Sequence, residues 1–350
     1  MNHSKITGIW NVGKNPAPAV ISDNNFVHKS LSEWALNFAV GCAHGCRYCY
    51  VPSSSLNKQA EKLGRLGVQD PDAQFGGYVF LRPWDEDAFL SSLRSAENRP
   101  AEKLKHDGNR AVMLCTTTDA YQVVPDPQLH AHLRMMVRRS LELIRDYSSI
   151  NVRILTRSPL VREDFDLLKS LGSRVMLGLS IPTLRNDLAR VYEPAAPAPT
   201  QRLRVLQEAA SCGIPTFVAI APVFPECDDT DIRNTVEAVA KTGVSTVFAE
   251  PVNVRAENIA RIAVHATRLG VDLNTEVFRD ADAWQTYAIQ TLKMVERIAF
   301  EAGVGERLHL WPDAALGTKV AFSRIPADQR EQHRAWIHRY WNRVSEWPKL

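Results

Sequence analysis

The segment GCAHGCRYCY places three of the chain's six cysteines, Cys42, Cys46 and Cys49, within eight residues, with gaps of three and two. In a cytosolic chain such clustering reads as metal binding before disulfide pairing. Three thiolates hold three irons of a [4Fe–4S] cube and leave the fourth iron without a protein ligand. That is an open position which the four-cysteine clusters of ferredoxins lack. Gly41 and Gly45 permit the tight backbone that wraps three side chains around one cube. Zinc is the competing reading. A structural zinc site takes four N or S ligands, and the fourth would have to be His44 or a distant thiol. The sequence has no second CxxC and no H-x3-H. Cys115, Cys212 and Cys227 are scattered, and buried structural thiols are their default reading.

The elements that must position this loop follow from the hydropathy pattern. WALNFAVG (34–41) is expected as the strand leading into it, and AVMLCTTT (111–118), NVRILT (151–156), RVMLGLS (174–180), PTFVAIAP (215–222) and STVFAEP (245–251) as further strands. Their nearly continuous apolar runs suit parallel strands covered on both faces. Each is followed by a helical pattern, and Gly172, Gly213, Gly243 and Gly270 sit where helices should stop. Six βα units with right-handed crossovers predict an α/β fold, a partial (β/α)6 TIM-type barrel, although a doubly wound sheet has the same local pattern. The expected division is an N-terminal extension over 1–33, a core over 34–270, and a helical, basic and aromatic extension over 271–350. Residues 54–110 form an excursion with a helical LNKQAEKLGRL and a strand-like YVFLRP.

The chain has 350 residues, 45% of them hydrophobic, enough for a substantial core, and its net charge of +3 does not by itself announce a nucleic-acid binder. The start carries no apolar signal-like run, and no stretch approaches the roughly 18 apolar residues of a spanning helix. A cytoplasmic protein without membrane association is expected. From Lys319 onward Arg324, Arg330, Arg334, Arg339, Arg343 and Lys349 alternate with Phe322, Trp336, Tyr340, Trp341 and Trp347, against Asp328, Glu331 and Glu346. Basic and aromatic residues together suit stacking on bases and gripping phosphates. Equally, the Trp336, Tyr340 and Arg343 spacing suits an amphipathic helix docked on the barrel.

CxxxCxxC with an aromatic before its last cysteine resembles the signature of the radical S-adenosylmethionine (SAM) superfamily. Within it the chain resembles the spore photoproduct lyase-like branch, often labelled DNA repair photolyase. The likeness runs from about Trp34 to Pro251, through TTTDAYQ (116–122), ILTRS (154–158), YEPAAPAPTQR (192–202) and IAPVFP (220–225), with HLWPDAALG (309–317) beyond. The resemblance implies a [4Fe–4S] cluster on Cys42, Cys46 and Cys49 whose unique iron chelates SAM. It also implies reductive cleavage of SAM to a 5′-deoxyadenosyl radical, with an external electron donor such as flavodoxin or ferredoxin. By the same resemblance Thr117, Thr118 and Asp119 sit near the SAM amino group, although Asp119 could instead cap the next helix. Ser180 meets the SAM carboxylate or ribose, and Tyr48 and Ala221 frame the adenine through their backbones. Arg202 pairs with Glu193 to fix the loop between them or contributes to the cofactor site.

Three further candidates concern the substrate. Relatives in this branch carry a hydrogen-donating cysteine in a Cys-Thr-Ser-Asp run. Here that register holds Thr116-Thr117-Thr118-Asp119, so Cys115 lies one residue early, and strand alternation would point its thiol to the other face. Arg157 stands where relatives commonly have lysine, which is not a neutral exchange. Tyr121 or Tyr78 could serve a tyrosine relay. The expected substrate is DNA or a nucleotide. The alternatives are a small metabolite or peptide and, from another class, a metal-binding scaffold without catalysis.

Overall fold

The computed structural model describes residues 5–13, 16–24, 31–341, 343, 345 and 347. Its strands, in chain order, are β1 (Ile6–Ile9), β2 (Ile21–Asp23), β3 (Trp34–Leu36), β4 (Ala39–Val40), β5 (Tyr78–Leu81), β6 (Ala111–Leu114), β7 (Asn151–Thr156), β8 (Val175–Ser180), β9 (Thr216–Val223), β10 (Thr246–Pro251) and β11 (Leu308–Leu310). Eight of them form one sheet in the order β11-β10-β9-β8-β7-β6-β3-β2. Every pairing in it is parallel except β2 with β3. Five of the six expected strands are present as single strands and the first only in part, and the architecture is the α/β partial barrel, open between β11 and β2 among the described residues.

Two differences from the sequence expectation bear on the site. The run 34–41 is not one strand. It breaks at Asn37 and Phe38, where the chain leaves the main sheet and β4 joins β5 and β1 in a separate three-stranded sheet. The break is fixed from both sides. The Asn37 carboxamide is taken up by the turn after β6, and the Phe38 carbonyl accepts from Arg82 N, just past β5, at 2.8 Å. The second difference is β11, a seventh parallel strand drawn from the segment expected to be helical. The helix Ala281–Glu301 is its crossover from β10.

The main core fills the layer between the sheet and its helices. A second, smaller core lies on the opposite, concave face and contains Met176, Phe217 and Phe248. A third packs the small sheet beneath the cysteine loop, with Tyr78 and Phe80 at its centre. Helix boundaries obey local chemistry. Asp126 caps the helix Pro127–Tyr147 by accepting from Gln128 N and Leu129 N at 2.9 Å, and Gly270 ends Asn258–Leu269 in the left-handed conformation.

The tail docks. On the helix Arg330–Trp341, His333, Trp336, Ile337 and Tyr340 are buried. Trp336 Nε1 and Tyr340 Oη donate to the two carboxylate oxygens of Glu296 at 2.7 and 2.5 Å. Of the tail residues singled out above, Glu346 and Lys349 lie outside the described residues.

Candidate active site

The cysteine loop leaves β4 at Gly41, whose φ of +88° is one that L side chains rarely adopt. A Cβ there would stand 2.4 Å from the Tyr78 carbonyl oxygen, and a Cβ on Gly45 would stand 2.9 Å from the Gly76 Cα. The loop is therefore pressed onto the small sheet, and only glycine fits at its two contact points. All three cysteines are free thiols. Burial, and then the proximity of Asp119, Cys46 and Cys49, raises the Cys42 thiol. Burial, with Glu193 and Cys49 beside it, pushes the Cys46 thiol up to about 12.

From this loop a chain of hydrogen bonds and ion pairs runs across the strand ends. Thr118 Oγ1 donates to the Gly41 carbonyl at 2.6 Å, and Gln122 bridges Thr118 Oγ1 and Ala43 N. Asn37 Oδ1 accepts from Thr116 N, Thr117 N and the Thr117 hydroxyl, each at 3.0 Å. Asp119 is buried and its carboxylate is fully used. Oδ1 accepts from Thr156 Oγ1 and Tyr121 N, and Oδ2 accepts from Arg157 N and lies 3.0 Å from His44 Nε2. Burial opposes ionisation here, but the imidazole of His44 and these donors bring the carboxyl down to about 2. Asp119 is not a helix cap; Asp126 is.

Arg157 carries the chain onward. Its Nε donates to Glu193 Oε1 at 2.8 Å and its Nη2 to the Tyr48 hydroxyl at 2.6 Å, while that hydroxyl donates to Glu193. Glu193 Oε2 pairs with Arg202 Nη2 at 2.5 Å, both side chains being fully buried. Burial raises the Glu193 carboxyl, and Arg202 and Arg157 outweigh it, bringing it down to about 2. Arg202 then donates through Nη1 to the Ser180 carbonyl and through Nε to the Pro197 carbonyl, and Ser180 Oγ donates to the Ala221 carbonyl at 3.3 Å. Tyr48, Thr117, Thr118, Asp119, Arg157, Ser180, Arg202 and Ala221 thus belong to one connected rim. The expected Glu193–Arg202 pair is there.

A family model described as the radical SAM superfamily matches residues 36–239, more than half of the chain. The chain belongs to the radical SAM superfamily. An uncharacterized protein, ORF301, of Acidianus two-tailed virus is 33% identical over 253 residues, 71% of this chain and 76% of that protein. The uncharacterized protein MJ0683 of Methanocaldococcus jannaschii is 25% identical over 202 residues, 57% of this chain and 64% of its own length. Among solved structures, a spore photoproduct lyase variant with bound AdoMet and dinucleoside spore photoproduct superposes with a TM-score of 0.58. It is 15% identical, over 87% of this chain and 80% of that one, a likeness of fold.

The loop of this radical SAM protein suits a cluster by its donor set. Three clustered thiols, one buried and two partly so, are each raised chiefly by desolvation and are poor thiolates until a cationic centre binds them. Among the described residues no three Cys, His, Asp or Glu side chains are disposed to hold a single metal ion. A cube asks for something else, since each thiolate takes its own iron.

Two substrate-side expectations change. Cys115 does not continue strand β6, which ends at Leu114. It has φ +65°, the left-handed region, so face alternation does not apply to it. Its thiol is buried in the main core, where burial raises it, with Asp119 adding to the rise. Tyr121 is turned away from the rim. Its hydroxyl donates to Asp164 at 3.1 Å and its ring lies under Arg134, in the helix layer. Tyr78 packs beneath the loop, with its hydroxyl on the Pro71 carbonyl. The residues that sequence reasoning missed are Asn37 and Gln122, together with His44 as the partner of Asp119. No spacing could signal bonds that span 75 to 79 positions.

Proposed function

We propose that this protein is a radical SAM enzyme that binds a [4Fe–4S] cluster through Cys42, Cys46 and Cys49 and cleaves SAM reductively. The observation that carries the reading is the glycine-bent three-cysteine loop at the C-terminal edge of a parallel sheet, bonded directly into the rim. Bound together, cluster and SAM supply a 5′-deoxyadenosyl radical that abstracts a substrate hydrogen atom. The chain's own part is positioning. Thr117 and Thr118 face the SAM amino group from a turn held by Asn37. Ser180 meets the carboxylate or ribose, and Tyr48 and Ala221 border the adenine. The four contacts on Asp119 and the three engaged nitrogens of Arg202 support positioning roles for both. Arg157, a partly exposed cation, is the rim group nearest in kind to a substrate contact.

A nucleic acid or nucleotide is our first substrate class, supported by the branch motifs and the lyase-like fold. A small metabolite or peptide is the second reading, favoured by the docked tail, whose Trp336 and Tyr340 are spent on Glu296. An external donor such as flavodoxin or ferredoxin would supply the electron. An outer groove beside the loop is lined by Arg47, Arg261, His265 and Arg268 but also by Asp70, Asp72 and Glu257, so its charge is mixed and favours no particular donor. The test is anaerobic reconstitution, then SAM and a strong reductant. The wild type should release 5′-deoxyadenosine and methionine, and the Cys42, Cys46 and Cys49 triple alanine variant neither. A fully loaded protein that leaves SAM intact would favour a scaffold.

A further inference from the structure

Arg153 lies in the interior of β7, in register with Met113 on one side and Met176 on the other. Alternation along the strand puts Arg153 and Leu155 on the concave face. Arg153 is completely buried there. Its guanidinium carbon is 5.4 Å from the ring centroid of Phe217 and 5.2 Å from that of Trp347. The approach of Phe217 depends on Gly178 between them, where a Cβ would fall 2.2 Å from the Phe217 ring.

Among the described residues, Nε, Nη1 and Nη2 of Arg153 have no hydrogen-bond partner. The other deeply buried arginines, Arg202 and Arg261, each have a carboxylate. Among the described residues no charged group shifts Arg153; burial alone lowers it, to about 9, so it stays a cation at neutral pH. His309, which feels its charge, is itself held down to about 4 by burial, with Arg343 and Arg153 adding to that. A buried cation without an anion is among the costliest arrangements a fold can keep. Ring faces attract a guanidinium but leave its in-plane N–H groups unused. Those five donors form a fork that matches an oxyanion.

We propose that Arg153 anchors an anionic group of the substrate, a carboxylate or a phosphate, among the apolar side chains on the concave face of the sheet. Phe217 and Trp347 flank the site, and the oxyanion takes the in-plane edge. The inference rests on the proposed radical reading in making the concave face the substrate side; anion binding itself needs no cluster.

The test is thermal unfolding and calorimetric titration of the full chain with inorganic phosphate and, separately, acetate. At least one should stabilise the wild type in a dose-dependent way, and which one does identifies the group. Arg153→Met should be no less stable without anion, and should bind about 10- to 100-fold more weakly. Arg153→Lys, which keeps the cation and loses the fork, should lie between, and serves if the methionine variant does not fold. An undiminished response in either folded variant overturns the proposal, as does a wild type indifferent to both anions. So does a response removed by Arg268→Gln, which would place the anion in the outer groove. Failure of the radical reading would show elsewhere, as wild-type protein that loads a cluster and leaves SAM intact.

Discussion

At the rim of the barrel Arg157 and Arg202 share Glu193, and Asp119 answers His44. At its floor Arg153 is packed among Phe217, Trp347 and Met176 with no acceptor among the described residues. Both regions bury charge on the same sheet, yet only one satisfies it. A closed ionic network in low dielectric fixes geometry, because every member is held by at least two others. The rim therefore works as a frame that holds the cysteine loop against the strand ends. The floor, with the charge and without the complement, is built to be completed from outside.

The frame can be broken at its shared carboxylate. Glu193→Gln leaves Arg202 buried beside a neutral amide, and should cost about 3–5 kcal/mol in urea unfolding. A loss below about 1 kcal/mol would mean that the rim is not a cooperative frame. The same comparison predicts the pH dependence. Asp119 and Glu193 have folded pKa values depressed to about 2, so each stabilises the fold fully above the range where the unfolded carboxyl titrates. That stability is lost as pH falls from about 4.5 to about 2, on the order of 2 to 3 kcal/mol for each group. Glu193→Gln should flatten the acid limb by its share, and an unchanged limb would place the sensitivity elsewhere.

Smaller effects separate docked from available residues. Tyr340→Phe removes one bond to Glu296 and should cost about 1–2 kcal/mol of stability, with no change in affinity for any oligonucleotide. Weaker oligonucleotide binding with unaltered stability would return the tail to a nucleic-acid role. Cys115→Ala should cost on the order of one or two kcal/mol and leave SAM cleavage intact. A variant that consumes substrate yet diverts it to an unquenched or adducted product would make the thiol a hydrogen donor.

Much of this was legible before any coordinates. Thiol spacing is local, so Cys42, Cys46 and Cys49 announce themselves, and six β-branched runs separated by helical periods announce the barrel. What stayed hidden is non-local or too short. β11 has three residues, below the length at which a period can be read. The hand-over at Asn37 depends on a turn some 80 positions away. Cys115 looked like the end of a strand because sequence does not reveal a left-handed turn at a non-glycine residue. Arg153 sits unremarked inside the run NVRILT, and only the fold shows that no described residue answers it.

The most direct test of the whole account is iron, acid-labile sulfide and zinc analysis of the anaerobically reconstituted full chain, beside the triple alanine variant. The account predicts about four irons and four sulfides per wild-type chain and almost none in the variant, with zinc absent from both. Stoichiometric zinc without sulfide in the wild type would contradict it. So would iron and sulfide retained at wild-type levels after Cys42, Cys46 and Cys49 are gone.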